Sequence, residues 1–274
     1  MKLSFDVNKI ANYLEKYKLA LPELYKWNAN ITRLVELEIL TSQQVEELNQ
    51  LTPYLKEIQL KKIVGKKINE SYSNNSDLFD KLSIWIIKDW GGIKASNTNE
   101  IPKLIHKFLN SEKPDFKRIA SSSKVGSYLY PHKNIIYDSR VAYSLNWIIL
   151  SESAGCQYFP IPEGRNSRMR AFDLNVLIRL KNISNYQVSD IDKLNNRLFM
   201  KKADSKLFIS EKNAYDELKE LISQVHRILW KDDLEKIENL YYTEMLLFAI
   251  ADREIYVEIT NSINLFNQKL EDTI

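Results

Sequence analysis

Glycine is scarce in this chain. Only 6 occur among 274 residues. None forms a G-x-G-x-x-G or Walker-type run, which excludes Gly-rich phosphate-cradling loops. The same scarcity argues against a β-rich fold with many tight turns and suits helices. Cysteine is scarcer still. Cys156 stands alone, so an intrachain disulfide scaffold and cysteine-held zinc or iron–sulfur centres are excluded. The histidines, His106, His132 and His226, lie far apart with no ligand spacing. No metal and no cofactor is expected. Long apolar runs are missing too. The segment Met1-Lys2-Leu3-Ser4-Phe5-Asp6 meets polar residues at once, and no stretch reaches membrane-span length. The expectation is a cytoplasmic monomer with no membrane partner. Charge of one sign is also in short supply. The net charge of +3 permits a nucleic-acid partner without demanding one.

What is present is helical periodicity, and it predicts an all-α fold. Val7, Ile10, Ala11, Leu14 and Tyr17 share one face behind Asp6 as a cap. Ser42–Leu51 and Pro53–Ile68 read as the next helices. Leu60, Ile63 and Val64 form the buried stripe of the second. Its lysines (Lys56, Lys61, Lys62, Lys66, Lys67) are expected mostly on the outer side. Ser71–Ser76 reads as a loop and a first boundary. Asp77–Trp90 is an apolar helix stopped by Gly91-Gly92, and Pro102 opens a helix reaching Leu109. Phe116–Ile119 and Lys124–Tyr130 read as two short helical pieces joined by Ala120-Ser121-Ser122-Ser123, with Pro131 ending the second. Ser151–Arg170 is the longest irregular stretch, and Phe172–Leu180 resumes as helix. Asn213–Leu229 is a clean amphipathic helix, followed by a buried helix over Asp233–Ala251. These elements suggest an N-terminal helical segment at 1–70, a core at 71–152 and a C-terminal helical region at 153–274.

The candidate chemistry lies in Tyr137-Asp138-Ser139-Arg140-Val141-Ala142. Asp138 precedes an apolar-periodic run to Leu150 and reads as its N-cap. A carboxylate at the positive end of a helix stays ionised and can face a developing cation. Ser121-Ser122-Ser123-Lys124-Val125-Gly126-Ser127, a short spacer and this hexapeptide together resemble the catalytic centre of the helix-hairpin-helix DNA glycosylase superfamily. The bacterial 8-oxoguanine DNA glycosylase-like proteins look closest. Trp90-Gly91-Gly92 and the Glu244–Phe248 segment share that likeness, which extends over roughly 78–150.

The resemblance implies a helix-hairpin-helix core and excision of a damaged base from duplex DNA. Asp138 would stabilise the oxocarbenium character that builds at C1′. Lys124 would attack C1′ and form a Schiff base, giving lyase activity as well. The hairpin, with Ser122 and Ser123, would grip phosphates, and the target base would be flipped out. The usual Gly-x-Gly is replaced here by Ala120–Ser123, and the Lys124–Asp138 spacing is shorter than usual. Lys117 and Lys133 therefore stand as alternatives. Without a lysine at the site, Asp138 would activate water. Arg140, and Arg165, Arg168 and Arg170 on the irregular segment, suit contacts to phosphates or base edges. Tyr137, Tyr143, Trp147, Tyr158 and Phe159 read as core. A non-catalytic DNA-binding or interaction module on the same scaffold is the alternative function.

Overall fold

The structure is a computed structural model that describes residues 5–94, 97–163, 166–182, 190–192 and 207–271, with side chains up to 262. It is mostly helical with almost no strand. Isolated bridges, Phe5 with Gly155 and Tyr158 with Phe208, are the extended pairings among the described residues. Helices α1 (Val7–Lys18), α2 (Leu21–Leu24), α3 (Arg33–Glu36), α4 (Ser42–Gln50) and α5 (Pro53–Asn74) come first. Then follow α6 (Ser76–Trp85), α7 (Ile101–Leu109), α8 (Ile119–Leu129) and α9 (Ser139–Ser151). Beyond them lie α10 (Ser167–Ala171), α11 (Leu174–Lys181), α12 (Glu211–Leu229), α13 (Tyr241–Ile250) and α14 (Glu254–Glu271).

Local chemistry explains most helix starts. Asp6 accepts from the Lys9 amide and Thr52 from the Leu55 amide. Thr41 and Gln44 form a reciprocal capping box. Pro53 and Pro102 occupy first turns, where the missing N–H costs nothing.

Several sequence expectations need correction. The 71–76 loop does not exist: α5 runs to Asn74, and Asn75 alone breaks it while capping α6 through the Leu78 amide. The apolar 77–90 helix changes pitch, with Ile86–Trp90 forming a π-helical turn before Gly91. The Ala120–Ser123 joint is not a joint, because α8 passes through it unbroken after a single 3-10 turn at Phe116–Arg118. A serine run favours loops because its hydroxyls compete for backbone groups. Here two of those hydroxyls have partners: Ser122 Oγ donates to the Arg118 carbonyl, and Ser123 Oγ accepts from the Tyr137 amide. The 233–251 helix begins only at Tyr241. Asp233 instead closes a turn onto the Lys236 amide, and His226 holds the Ile237 carbonyl.

Two apolar cores result. One gathers α1, α2, α9 and α11–α14, including Leu14, Ile148, Leu218 and Leu246. The other gathers α4–α8, including Val64, Phe79, Trp85 and Val125. The extended stretch before α9 stitches them together. Ile135 and Tyr137 pack into the first core, while Ile136 packs into the second. This is the alternation of an extended chain whose successive side chains point to opposite faces. Asp138 follows directly and so emerges at the seam.

Candidate functional site

Asp138 caps α9. Its Oδ1 accepts from the Arg140 amide at 3.0 Å and the Val141 amide at 3.1 Å. That leaves Oδ2 free of the helix and directed at Lys124 Nζ, 3.4 Å away. Lys124 comes from the middle of α8, and its side chain is 7% exposed against 15% for Asp138. The two therefore form a nearly closed ion pair between an element of each core.

The path of Lys124 is set by Gly91. A Cβ at Gly91 would stand 2.9 Å from Lys124 Cδ and 2.9 Å from the carbonyl oxygens of both Ile86 and Ile87. The π-helical turn brings those carbonyls close, and only glycine leaves room for the lysine above them. Gly92 adopts φ +67°, and a Cβ there would meet the Trp27 ring at 3.3 Å. Trp27 in turn donates its indole N–H to the Trp90 carbonyl at 2.9 Å. The Trp90-Gly91-Gly92 segment thus packs against both an aromatic ring and the lysine.

The pair faces a pocket of about 490 Å³, counted with its open mouth. Its aromatic walls are Tyr25, Trp27, Trp90 and Phe248, and Ile136, Val141 and Met245 complete the apolar lining. Trp27 meets Phe248 edge-on at 6.0 Å between centroids. Two further charged groups, Lys61 and Glu244, line the same space.

Lys61 corrects the sequence reading of α5. Both Lys56 and Lys61 are buried rather than outward. Lys56 donates to Asn28, Asn49 and the Ala29 carbonyl. Lys61 lies 3.7 Å from Glu57 and within cation–π range of Trp90, Tyr128 and Tyr241, yet its Nζ makes no hydrogen bond. Burial lowers its pKa, against the attraction of Glu57 and Glu244. Glu57 accepts from the Trp90 indole at 2.9 Å, and burial raises its carboxyl. Glu244 is buried with neither carboxylate oxygen hydrogen-bonded. Burial raises its pKa to about 7, against the opposing pull of Lys61. Sequence reasoning missed Glu57 and Lys61, although a signal was present. Glu57, Leu60, Lys61, Val64 and Ile68 fall on one stripe at helical spacing.

The remaining sequence-predicted residues scatter. Ser122 and Ser123 are buried, with hydroxyls turned to Arg118 and Tyr137, so neither presents a side chain to a phosphate. Arg140 lies at the rim, stacked 4.4 Å over Phe248 and 3.4 Å from Asp252. Arg168 reaches the same Asp252 at 4.0 Å, and Arg170 is exposed. Arg165 lies outside the described residues. Lys117 and Lys133 are exposed and away from the pocket lining, which leaves Lys124 beside Asp138. Tyr137, Tyr143, Trp147, Tyr158 and Phe159 are all buried in the first core. Among the described residues no group of His, Cys, Asp and Glu could hold a metal ion, and no helix is long and apolar enough to cross a membrane.

No protein-family model, curated protein or solved structure matches the chain.

Proposed function

We propose that this chain is a DNA glycosylase-like enzyme that excises a modified base after the base flips from the duplex into the pocket. The observation that carries this reading is the Lys124–Asp138 pair, two nearly buried groups 3.4 Å apart at the edge of an aromatic-walled pocket. The likeness of the Tyr137–Ala142 segment to the helix-hairpin-helix glycosylases supports it.

In this reading the aromatic walls hold the extruded ring by stacking and edge contacts. Asp138, already fixed by two amides, stabilises positive charge at C1′ without reorganising. Lys124 attacks C1′ while its proton passes to the departing base. The C1′–N bond breaks, and its electron pair leaves with the base. Opening of the sugar ring then gives an iminium on Lys124, from which elimination cleaves the strand. Arg140, stacked on the pocket-wall ring of Phe248, and Arg168, which shares Asp252 with it, serve as phosphate contacts in this reading. Exposed Lys113, Lys117 and Arg118 sit on the α7–α8 connection, the counterpart of the DNA-gripping hairpin in this proposal.

The test is borohydride trapping on duplexes carrying a broad set of lesions, with 8-oxoguanine first. A covalent protein–DNA adduct in the native chain, absent in Lys124→Gln, is expected. Formation of neither adduct nor abasic site on any lesion would sink the proposal.

A further inference from the structure

The glycosidic chemistry uses the inside of the pocket and leaves one carboxylate at its rim without a task. Asp252, just past the end of α13, draws three donors onto a single oxygen. The Asn166 side chain donates to Oδ2 at 2.9 Å, Arg140 approaches the same oxygen at 3.4 Å and Arg168 at 4.0 Å. The donors come from different elements. Arg140 lies in the first turn of α9, and Arg168 lies in α10. Asn166 caps α10, its Oδ1 accepting from the Arg168 and Met169 amides. That cap fixes the direction of the Asn166 amide: its oxygen serves the helix, so its nitrogen faces Asp252.

Each arginine has a second reason to stand where it does. The Arg140 guanidinium lies 4.4 Å over the ring of Phe248, itself a wall of the pocket. Arg168 is carried by the capped start of α10. Neither placement needs the ion pair to Asp252. The pairs are also poor ones. One oxygen is shared among three donors, the separations to the arginines are long, and Arg140 and Arg168 are 27% and 57% exposed. Water screens ion pairs of that kind, and they hold little. Two guanidiniums converging from separate elements match a phosphate better, because its oxygens accept parallel N–H pairs from each fork.

We propose that Asp252 is an internal stand-in for a phosphate. It occupies the Arg140–Arg168 fork in the free protein and gives way when a phosphodiester of the bound strand arrives there. The inference rests on the DNA reading given above and adds a control on that same site, read by binding rather than by catalysis. Displacing the carboxylate leaves Asn166 as its partner, so the start of α10 stays docked while both guanidiniums turn to the ligand. While Asp252 is in place, it cancels part of the charge that the fork would offer to DNA. The consequence is weaker and less salt-sensitive attachment to duplex than the same arginines would give unopposed.

Binding of a short undamaged duplex to the full chain, followed by fluorescence anisotropy over a series of salt concentrations, tests this. Asp252→Asn removes the charge and keeps an acceptor oxygen for Asn166. It is expected to melt with the native chain and to bind about fivefold tighter at low salt. Its plot of log Kd against log salt is expected to be steeper by about 0.9, the mark of one further counterion released. Asp252→Ser, which removes the charge with a smaller side chain, is expected to give the same gain. In an Arg140→Gln/Arg168→Gln background, Asp252→Asn is expected to give no gain. An equal gain in both backgrounds would reduce the effect to net charge and overturn the proposal. Unchanged or weaker binding in Asp252→Asn and Asp252→Ser would overturn it as well. Borohydride-trapped adducts alongside either result would leave the glycosylase reading standing. Absence of duplex binding in every variant, together with absence of trapping, would remove both proposals.

Discussion

Two lysine–carboxylate pairs meet at one pocket, and they are built in opposite ways. Asp138 and Lys124 come from α9 and α8, and the carboxylate is anchored by two backbone amides at a helix start. Glu57 and Lys61 sit one turn apart on α5, 1% and 4% exposed, among Trp90, Tyr128 and Tyr241. The first pair is nearly closed but still reaches solvent through the pocket, and its long-range geometry aims two reactive groups at that space. The second lies deeper, with Lys61 at the pocket wall and Glu57 behind it, and its charge balance is one that the protein interior must sustain. The difference separates a pair whose removal should cost chemistry from one whose removal should cost stability.

The largest effect is expected at the first pair. Lys124→Gln abolishes borohydride-trapped adduct, and Asp138→Asn lowers single-turnover excision by about 10²–10³-fold. Asp138→Asn should unfold in urea within about 1 kcal/mol of the native chain, because asparagine is also a good N-cap. A loss of several kcal/mol in Asp138→Asn would make that residue structural instead. At the second pair the order reverses. Glu57→Leu leaves Lys61 buried and unpaired, and urea unfolding should register a loss of about 3–5 kcal/mol. Adding Lys61→Met should recover much of it, since well-packed apolar replacements of a whole buried pair are often neutral or stabilising. Failure of the double variant to recover would mean the pair is worth more than its desolvation costs.

Glu244 sharpens the comparison through pH. Its carboxyl is raised in the folded chain to about 7, from 4.5. The folded state therefore holds a proton that the unfolded state has released. The resulting stabilisation is full below about pH 4.5 and declines as pH rises, until it is gone above about pH 7. The native chain, compared with Glu244→Gln across that window, should lose roughly 3 kcal/mol as pH rises. A parallel pair of stability curves would show that Glu244 titrates normally. The smallest effect is expected at Gly91. Gly91→Ala forces a Cβ against two carbonyls and the Lys124 stem, at a cost of about 1–3 kcal/mol in urea unfolding. It should also lower trapping by displacing Lys124.

Much of the helical order was legible in the sequence. Asp6, Thr41, Thr52 and Asp138 each cap within three residues, so a short window contains the whole interaction. The serine run at 121–123 misled because its partner, the Tyr137 amide, lies outside any such window. Lys61 misled for a related reason. Helical spacing alone places it on the apolar stripe, but a lysine there counts as outward until something makes burial tolerable. What does so is Glu57 on its own helix, Trp90 from the π-helical turn, Tyr128 from α8 and Tyr241 from the start of α13.

The sequence by itself determined that the chain is helical and that a carboxylate stands at the head of α9, because apolar periodicity and a cap reaching two or three residues are both local signals. Only the tertiary structure decided that Lys124 faces that carboxylate, that Gly91 makes room for it, and that Lys61 and Glu244 close the pocket without hydrogen bonds of their own. Desolvation and ion pairing depend on which distant surfaces meet, and that meeting occurs where the two cores join.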